Sequence, residues 1–508
     1  MSARERIERH LNKIAISPAM PLFLLLLTVY VFSAGGHLYA WDELFTYATT
    51  RAIAEEGSIN IAHSLPLFHE LGFLMNLPND TQTLYSGYGL LQSVMAVPFY
   101  FVGGLLGLEP WRTVDLFYSP LLMAASGLLL YGVSRRLGIS SRLAVVLSLL
   151  YGFATIVWPY AKFFFDVTTG LAMQLASVYF LLDPSRSRRS VFLSGLFATL
   201  SVFGRIMLVI GLPAMLLYLA FRPGVDLRRR TRLGIFMIPV VAGAVLYMWL
   251  NVVRSGSPLI FGENYGFVGR LVSPELLGNP LVGIYGMLFS SGVGLFIYYP
   301  ICGLGAFALI VSDKNHSWEG FIFAWLFLSN LIFYGSLNIW DGSWGVAWGA
   351  RYLVTSVPYL ILACAPFVDS AKTSIVRASV LLCAALVGVF SNILGVLINP
   401  LYAGAYLWFV LGKTYPDRGF GPPPPEIWIP GFSQLRVSWD LVWSQEYPAA
   451  WFGAAEILFL KARFDLFLYN SYGVTALIVT LFLALLLVLW IAMTLRHHQA
   501  EPQPNSFK

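Results

Sequence analysis

Charged residues are scarce in this sequence, and their scarcity excludes most soluble folds. Only 11% of the 508 residues are Asp, Glu, Lys or Arg, whereas 57% are hydrophobic, and the mean hydropathy is +0.70. A soluble domain carries roughly 25% charged residues. Runs of about 18 or more mostly apolar residues, long enough to cross about 30 Å of hydrocarbon, recur along the chain. The composition therefore predicts an all-α, polytopic membrane helical bundle.

Cysteine is also rare, which argues against a disulfide framework or a zinc site. The three cysteines, Cys302, Cys364 and Cys383, lie within apolar runs and form no CxxC pair. Disulfide frameworks and zinc sites need several cysteines at characteristic spacings. We interpret all three as small side chains of the protein interior.

Familiar catalytic motifs are missing as well. The sequence contains no P-loop, no GxSxG and no HExxH, so the nucleotide, hydrolase and metalloprotease chemistry that these motifs perform is not indicated. The net charge of +6 is typical of a membrane protein with basic cytoplasmic loops, and we do not interpret it as nucleic-acid binding.

The distribution of Lys and Arg predicts the topology. A charged leader, 4–13, precedes a first apolar run, 14–33, which is too long for a typical signal peptide and lacks a clear cleavage site. We expect an uncleaved first span with a cytoplasmic N-terminus. Residues 88–108 are apolar, but a crossing there would place Arg135 and Arg136 outside, so they are predicted to lie at the outer interface within a long first extracytoplasmic loop.

The other apolar runs complete a predicted bundle of about twelve spans, in the inner membrane, with both termini cytoplasmic. After the first span these runs are approximately 112–133, 142–160, 166–182, a hairpin at 190–221, 233–251, 283–311, 319–337, 351–368, 376–398 and 471–495. The chain thus divides into a transmembrane bundle at 1–398, a small extracytoplasmic segment at 399–470, and a final helix with a cytoplasmic tail at 471–508. The segment contains Pro422 to Pro425, which cannot continue a helix, and we expect a lid over the outer face.

Polar residues near the outer ends of the spans are the candidates for chemistry. Asp42 and Glu43 follow the first span, and successive helical residues point about 100° apart, so only one is expected to face a cavity. A solvated loop is the alternative, although a carboxylate at the edge of an apolar bundle is costly unless it has a function. Lys162 and Asp166 either form an i,i+4 ion pair or offer a cation and a second acid.

Two arginines extend this set of candidates. Arg205 has about ten apolar residues on either side in the predicted hairpin, and at such depth an arginine marks function unless it reaches the headgroups. Arg351 ends a loop rich in Trp and Gly, where glycines admit a ligand and a guanidinium binds phosphate with two hydrogen bonds. His37, His63 and His69 could hold a divalent cation together with nearby acids, but their spacing matches no metal motif.

In their order along the chain these features resemble the GT-C superfamily of membrane glycosyltransferases that use polyprenyl-phosphate sugars. The branch most similar contains the protein O-mannosyltransferases and the lipid A aminoarabinose transferases, and the match covers about residues 14–368. The matching stretches are Trp41–Glu43, Leu84–Gly89 with Val97–Tyr100, Tyr160–Asp166, Gly286–Pro300 and Trp344–Tyr352.

The resemblance implies an enzyme, a hexosyl- or pentosyltransferase, that moves a sugar from a polyprenyl-phosphate donor to a hydroxyl of a protein, lipid or glycan, with inversion. It implies Asp42 as general base, with Glu43 and Asp166 orienting the acceptor or holding a divalent ion, if one is used. Related enzymes often have a lysine at about the position of Gly87, so the donor phosphate would rely on other cations. These cations are Lys162, Arg205 and Arg351, and the predicted substrate-binding residues are Tyr85, Tyr88, Trp344 and Tyr352.

Two other classes of function remain open at this point. A transporter or flippase for a lipid-linked or anionic substrate would need polar groups at the bilayer midplane and repeated halves, and no such repeat is visible. A membrane scaffold would not need an arginine in an apolar hairpin. The sequence favours the enzyme, with the bilayer, the lipid-linked donor and the acceptor as partners and no nucleic acid.

Overall fold

The molecule is almost entirely helical where its structure is defined. The computed structural model describes residues 17–64, 83–185, 187–222, 229–259, 277–311, 317–342, 347–400, 403–404, 406–407, 422–443 and 464–500. Within these ranges β pairing is limited to two isolated bridges, which join Asn60 to Tyr85 and Leu277 to Leu337. The prediction of an all-α fold is confirmed for the described part of the chain.

The helices follow the apolar runs of the sequence. The first ten are α1 (Ala19–Ser33), α2 (Trp41–Glu56), α3 (Leu90–Leu105), α4 (Pro110–Arg136), α5 (Ser141–Phe153), α6 (Val157–Tyr160), α7 (Asp166–Leu181), α8 (Arg188–Gly204), α9 (Leu212–Phe221) and α10 (Arg229–Ser255). The remainder are α11 (Pro280–Phe289), α12 (Leu295–Tyr298), α13 (Pro300–Val311), α14 (Ser317–Gly335), α15 (Val357–Ala363), α16 (Ala365–Ser370), α17 (Ile375–Leu397), α18 (Gln434–Trp443), α19 (Phe467–Tyr472) and α20 (Val474–Ala500).

Short polar residues start several of these helices by satisfying their first free N–H groups. Ser140 accepts a hydrogen bond from the N–H of Leu143 before α5, and Ser187 accepts one from Ser190 before α8. Asn279 accepts from Leu281 at the start of α11. Such caps contribute about 0.5–2 kcal/mol each, and they mark helix starts that apolar content alone does not locate.

Among the described residues, five helices are long and apolar enough to cross a membrane, by length and composition: α4, α10, α14, α17 and α20. Other predicted spans coincide with shorter apolar helices of 10–17 residues. The figure of about twelve spans therefore stays a prediction, as do the long first loop and the orientation.

Two predicted spans are interrupted. The run 283–311 is divided among α11, α12 and α13. Gly294 lies in one break, where a Cβ would come within 2.4 Å of the carbonyl oxygen of Ser290. The run 351–368 begins with a 3-10 turn, Arg351–Ser356, and continues as the short helices α15 and α16. Hydropathy predicted both runs as single spans because a few small or polar residues at each break change the mean hydropathy of a long apolar run only slightly.

Two apolar cores meet at the turn before α7. Phe163 is fully buried in the larger core, which fills the bundle, and Phe164 is fully buried in the smaller one beneath α2 and α3. Burying an aromatic side chain of this kind contributes about 1.5–3 kcal/mol. The turn is therefore held from both sides, and it ends at Asp166, the first residue of α7.

The described parts of 399–470 lie against the bundle. The N–H of Gly292 donates to the carbonyl of Ile427 at 2.9 Å, and the N–H of Asp465 donates to Leu397 at 2.8 Å. The N–H of Phe467 donates to Ala34, just after α1, at 3.0 Å. Helix α20 then packs along α1. The segment is thereby attached to the ends of α1 and α17.

Candidate active site

The first ion pair of the site joins residues more than 300 positions apart. Arg351, at the start of its 3-10 turn, donates from Nη2 to Oδ2 of Asp42 in the first turn of α2. The hydroxyl of Tyr88 donates to Oδ1 of the same carboxylate at 2.7 Å. The guanidinium carbon of Arg351 also lies 4.2 Å from the ring centre of Phe165. Asp42 is therefore held between a cation and a hydroxyl.

A second ion pair lies beside the first. Arg205, which follows the last residue of α8, donates from Nη1 to Oδ1 of Asp166 at 2.7 Å. Its Nε and Nη2 donate to the hydroxyl of Tyr334 at 3.2 and 3.0 Å. The rings of Tyr334 and Tyr352 stack with centres 4.2 Å apart, and the Arg205 guanidinium lies 5.9 Å from the ring centre of Tyr352. The charge of Arg205 is close enough to act on Asp42.

The four charged side chains are largely but not completely enclosed. The exposed fractions are 22% and 16% for the side chains of Asp42 and Asp166, and 12% and 10% for those of Arg351 and Arg205. Burial alone would raise the pKa of Asp42, but the charge and hydrogen bond of Arg351, with the hydrogen bond from Tyr88, hold it below its ordinary value. Asp42 is therefore ionised at neutral pH and reachable from outside.

Two arginines that contact Asp42 or Tyr88 keep a donor that no described residue accepts. Nε of Arg351 is buried without a hydrogen-bond partner among the described residues, and the same is true of Nε of Arg254 at the end of α10. Arg254 also donates from Nη1 to the carbonyl of Tyr88 at 3.4 Å, on the residue whose hydroxyl contacts Asp42. Buried unpaired donors are costly, and an anionic ligand would satisfy them. Sequence reasoning missed Arg254, although it is a cation in the last turn of the long apolar helix α10.

Glu43 does not share the site with Asp42. Its side chain is fully buried, Oε1 accepts from the N–H of Phe164 at 3.0 Å, and Oε2 accepts from the N–H of Tyr39. Burial, with a further contribution from the negative charge of Asp42, raises the pKa of Glu43 to about 8. The carboxyl of Glu43 thus binds backbone N–H groups behind Asp42, and its predicted role in orienting an acceptor or holding a divalent ion finds no support in this geometry.

Lys162 is also placed away from the two ion pairs. It is fully buried, and its Nζ lies 2.6 Å from Oδ2 of Asp465 while donating to the carbonyls of Val396 and Asp465, each at 2.7 Å. Oδ1 of Asp465 lies 2.7 Å from Nε2 of His37. Lys162 therefore pairs with Asp465 and not with Asp166, and its predicted role in binding the donor phosphate finds no support in this geometry. The partner was not foreseeable, since it lies 303 residues later.

Of the four predicted substrate-binding residues, two contact the charged cluster in the described structure. Tyr88 and Tyr352 belong to the cluster through Asp42 and Arg205. The backbone of Tyr85 forms an isolated antiparallel β-bridge with Asn60. Trp344 lies outside the described residues.

The histidines are dispersed. His37 is buried against Asp465, His63 is an exposed partner of Glu56, and His69 lies outside the described residues. In the described part of the chain, no group of three or more His, Cys, Asp or Glu side chains could hold a metal ion. The expected divalent ion thus gains no support from the geometry.

Solved structures of GT-C enzymes resemble this chain. The archaeal oligosaccharyltransferase AglB from Archaeoglobus fulgidus, in complex with an inhibitory peptide and a dolichol-phosphate, is 14% identical over 78% of this chain and 58% of its own, with a TM-score of 0.46. ArnT from Cupriavidus metallidurans, bound to undecaprenyl phosphate, is 17% identical over 83% of this chain and 76% of its own, with a TM-score of 0.48. Both are members of the superfamily that the sequence motifs resemble.

The similarity has a limited extent. This chain spans somewhat more than half the length of the oligosaccharyltransferase, 58% of it. No protein-family model and no curated protein matches the sequence.

Proposed function

We propose that this protein is a membrane glycosyltransferase that moves a sugar from a polyprenyl-phosphate donor to a hydroxyl acceptor on the extracytoplasmic side, with inversion. The observation that carries the proposal is the pairing of a partly exposed carboxylate, Asp42, with Arg351, directly beside the pair of Arg205 and Asp166. A base and several cations at one opening are the groups that such a transfer requires.

Asp42 is the proposed general base. As the acceptor oxygen forms its bond to the anomeric carbon, the acceptor proton passes to the Asp42 carboxylate, and the bond between the anomeric carbon and the phosphate oxygen breaks. The polyprenyl phosphate leaves with the bonding electrons. Attack from the face opposite the leaving group inverts the anomeric carbon. General-base catalysis of this kind contributes about 10²–10⁴-fold in rate.

The arginines are the proposed phosphate-binding groups. Negative charge grows on the phosphate in the transition state, and fixed cations that are already in place stabilise it without reorganisation. Arg351, Arg205 and Arg254 present guanidinium groups at the cluster, and Nε of Arg351 and Arg254 are free of described partners. These arginines supply the charge that Gly87 does not.

Donor binding would also activate the base. While Arg351 is paired with Asp42, it lowers the pKa of that carboxyl and weakens it as a base. A phosphate bound at Nε of Arg351, which no described residue accepts from, would offset part of the guanidinium charge without moving it, so the pKa of Asp42 would rise and the carboxylate would become a stronger base. The ion pair seen here is then the resting state, and proton transfer is favoured only when the donor is bound.

The test is sugar transfer by purified protein in detergent, with a panel of radiolabelled polyprenyl-phosphate sugars and hydroxyl acceptors. We expect Asp42→Asn to lower transfer by about 10²–10⁴-fold. Asp369→Asn is the matched control, since Asp369 is a 58% exposed carboxylate in α16, paired with Lys372. Full activity in Asp42→Asn would refute the proposed role. No turnover with any donor, together with movement of a lipid-linked substrate in proteoliposomes, would establish transport instead.

A further inference from the structure

Gln434, the first residue of α18, is a buried polar side chain outside the cluster. It is 3% exposed. Its Oε1 accepts from the N–H of Gly349 at 2.8 Å, and its Nε2 donates to the carbonyl of Ala347 at 2.6 Å. One side-chain amide thus satisfies a donor and an acceptor of the same backbone turn. Gly349 has a φ of +56°, and because glycine has more backbone freedom than other residues, the Gln434 amide restricts a turn that would otherwise be flexible.

The supported turn leads directly to Arg351. The N–H of Arg351 donates to the carbonyl of Gly349 at 2.9 Å, so the residue held by Gln434 in turn holds the backbone of Arg351. The hydroxyl of Tyr160 fixes the carbonyl between them, that of Trp348, at 3.0 Å. Both ends of the stretch 347–349 are therefore fixed by Gln434, and its middle by Tyr160.

We propose that Gln434 is a positioning residue that sets the direction from which Arg351 meets Asp42 and the donor phosphate; the catalytic part of this inference rests on the proposed function. The contact joins the extracytoplasmic segment to the catalytic turn. Gln434 would thus influence the reaction through the position of Arg351, without touching the substrate. Misplacing a catalytic group by about 1 Å can cost 10²-fold in rate.

The segment has other attachments, so a change at Gln434 need not release it. The side chain of Ser291 donates to the carbonyl of Ile427 at 3.0 Å, and the N–H of Gly292 donates to the same carbonyl. Val437 and Leu441 of α18 are buried in the larger apolar core. We therefore expect Gln434→Ala to leave α18 in place while freeing the turn before Arg351.

The first experiment compares the wild type with Gln434→Ala and Gln434→Glu in the transfer assay. Gln434→Ala should lower kcat by about 10–100-fold, with a smaller effect on KM for the acceptor. Ser438→Ala is the control, because Ser438 is a fully buried polar residue of the same helix. Wild-type kcat in Gln434→Ala would overturn the proposal.

The glutamate variant separates positioning from general loss of structure. An ionised carboxylate accepts from Gly349 but repels the carbonyl of Ala347, whereas a protonated carboxyl donates to that carbonyl as Gln434 does. The activity of Gln434→Glu relative to wild type should therefore rise at least several-fold as the pH falls and the carboxyl takes up a proton. A ratio that is independent of pH would contradict the proposal.

A second experiment does not depend on activity. Amide hydrogen exchange of peptides that contain Gly349 and Arg351 should be faster in Gln434→Ala than in wild type or Ser438→Ala. Unchanged exchange would overturn the inference even if transfer is observed. Faster exchange without transfer in any variant would uphold the positioning and refute the proposed glycosyltransferase, so the two failures are distinguishable.

Discussion

At the scale of single residues, the site uses arginine for its shape as much as for its charge. Arg205 reaches Asp166 with one nitrogen and Tyr334 with two others. A lysine has the same charge but presents its three donors from a single point and has no planar fork. The geometry of this pair therefore depends on the guanidinium.

Replacement of this guanidinium tests its shape directly. We expect Arg205→Lys to lower transfer by about 10–100-fold, because an ammonium group cannot bind both partners in the same directions. Arg436→Lys is the control, since Arg436 forms an exposed i,i+4 pair with Asp440 and should keep wild-type activity. Full transfer by Arg205→Lys would show that only the charge matters.

The protonation of Glu43 should appear in the stability of the protein. An acid whose pKa rises on folding, here from 4.5 to about 8, binds its proton more tightly in the folded state. Its contribution to the free energy of unfolding therefore falls as the pH rises between those values and levels off above them.

Melting temperatures of wild type and Glu43→Gln should reveal this change. The advantage of the wild type over the variant should be largest near pH 5 and shrink by several degrees toward about pH 8.5. Glu55→Gln, at the exposed end of the same helix, should show no such decrease, since the pKa of Glu55 is lowered by its hydrogen bonds from Tyr100 and Arg51 despite partial burial. A constant difference for Glu43→Gln would mean that Glu43 is ionised when folded.

The sequence predicted individual polar residues better than their partners. Asp42, Asp166, Arg205 and Arg351 stand out because charge is expensive at the edge of an apolar bundle, and the structure brings these four together. Lys162 stands out for the same reason, yet its partner is Asp465. Periodicity and hydropathy describe neighbours along the chain, so they cannot show which distant residue completes a pair.

At the scale of helices, the close contact between the start of α3 and the end of α8 helps to fix the position of Arg205, which follows α8. Gly89, just before α3, packs against the end of α8: a Cβ there would lie 2.1 Å from the carbonyl oxygen of Gly204 and 2.5 Å from that of Phe203. Backbone atoms cannot move aside as a flexible side chain can. The missing side chain of Gly89 therefore allows the contact directly beside Arg205.

A pair of glycine substitutions tests this contact. Gly89→Ala should lower the melting temperature by several degrees and reduce transfer, because α3 or the end of α8 must shift. Gly104→Ala in the same helix should be tolerated, since a Cβ at Gly104 meets nothing within 4 Å, and alanine favours the helix by roughly 1 kcal/mol. Equal effects of the two changes would rule out the close approach as the cause.

Helices were predictable from the sequence where they are uniformly apolar, and their interruptions were not. The spans expected at 376–398 and 471–495 coincide closely with α17 and α20. The run 283–311 is also apolar overall, yet it is broken twice. A few glycine and serine residues lower the mean hydropathy of a long run only slightly, so hydropathy does not show where such a run is broken.

At the scale of the whole molecule, a buried cluster of charged and polar side chains joins residues that are far apart in the sequence. Lys162 and His37 both contact the carboxylate of Asp465. Burial alone would raise the pKa of Asp465, but the charge of Lys162, together with the hydrogen bonds to Lys162 and His37, holds that pKa below its ordinary range. Breaking a buried ion pair by removing one partner costs about 3–5 kcal/mol, because the other charge is left uncompensated.

A double-mutant cycle measures this connection. Lys162→Met should be strongly destabilising, by about 3–5 kcal/mol, and the double variant Lys162→Met with Asp465→Leu should recover part of the loss. Additive effects in thermal unfolding would indicate that the two residues act independently. Lys372→Met, at an exposed pair with Asp369, is the control and should change stability little.

The place of Asp465 in the sequence also sets an order of assembly. A ribosome adds this carboxylate 303 residues after Lys162, so Lys162 and His37 are made long before their partner. A chain cut short ahead of Asp465 would lack the carboxylate that lies 2.6 Å from the Lys162 ammonium group, however completely its earlier helices had inserted. Such a product should be degraded by membrane proteases faster than a chain that contains Asp465.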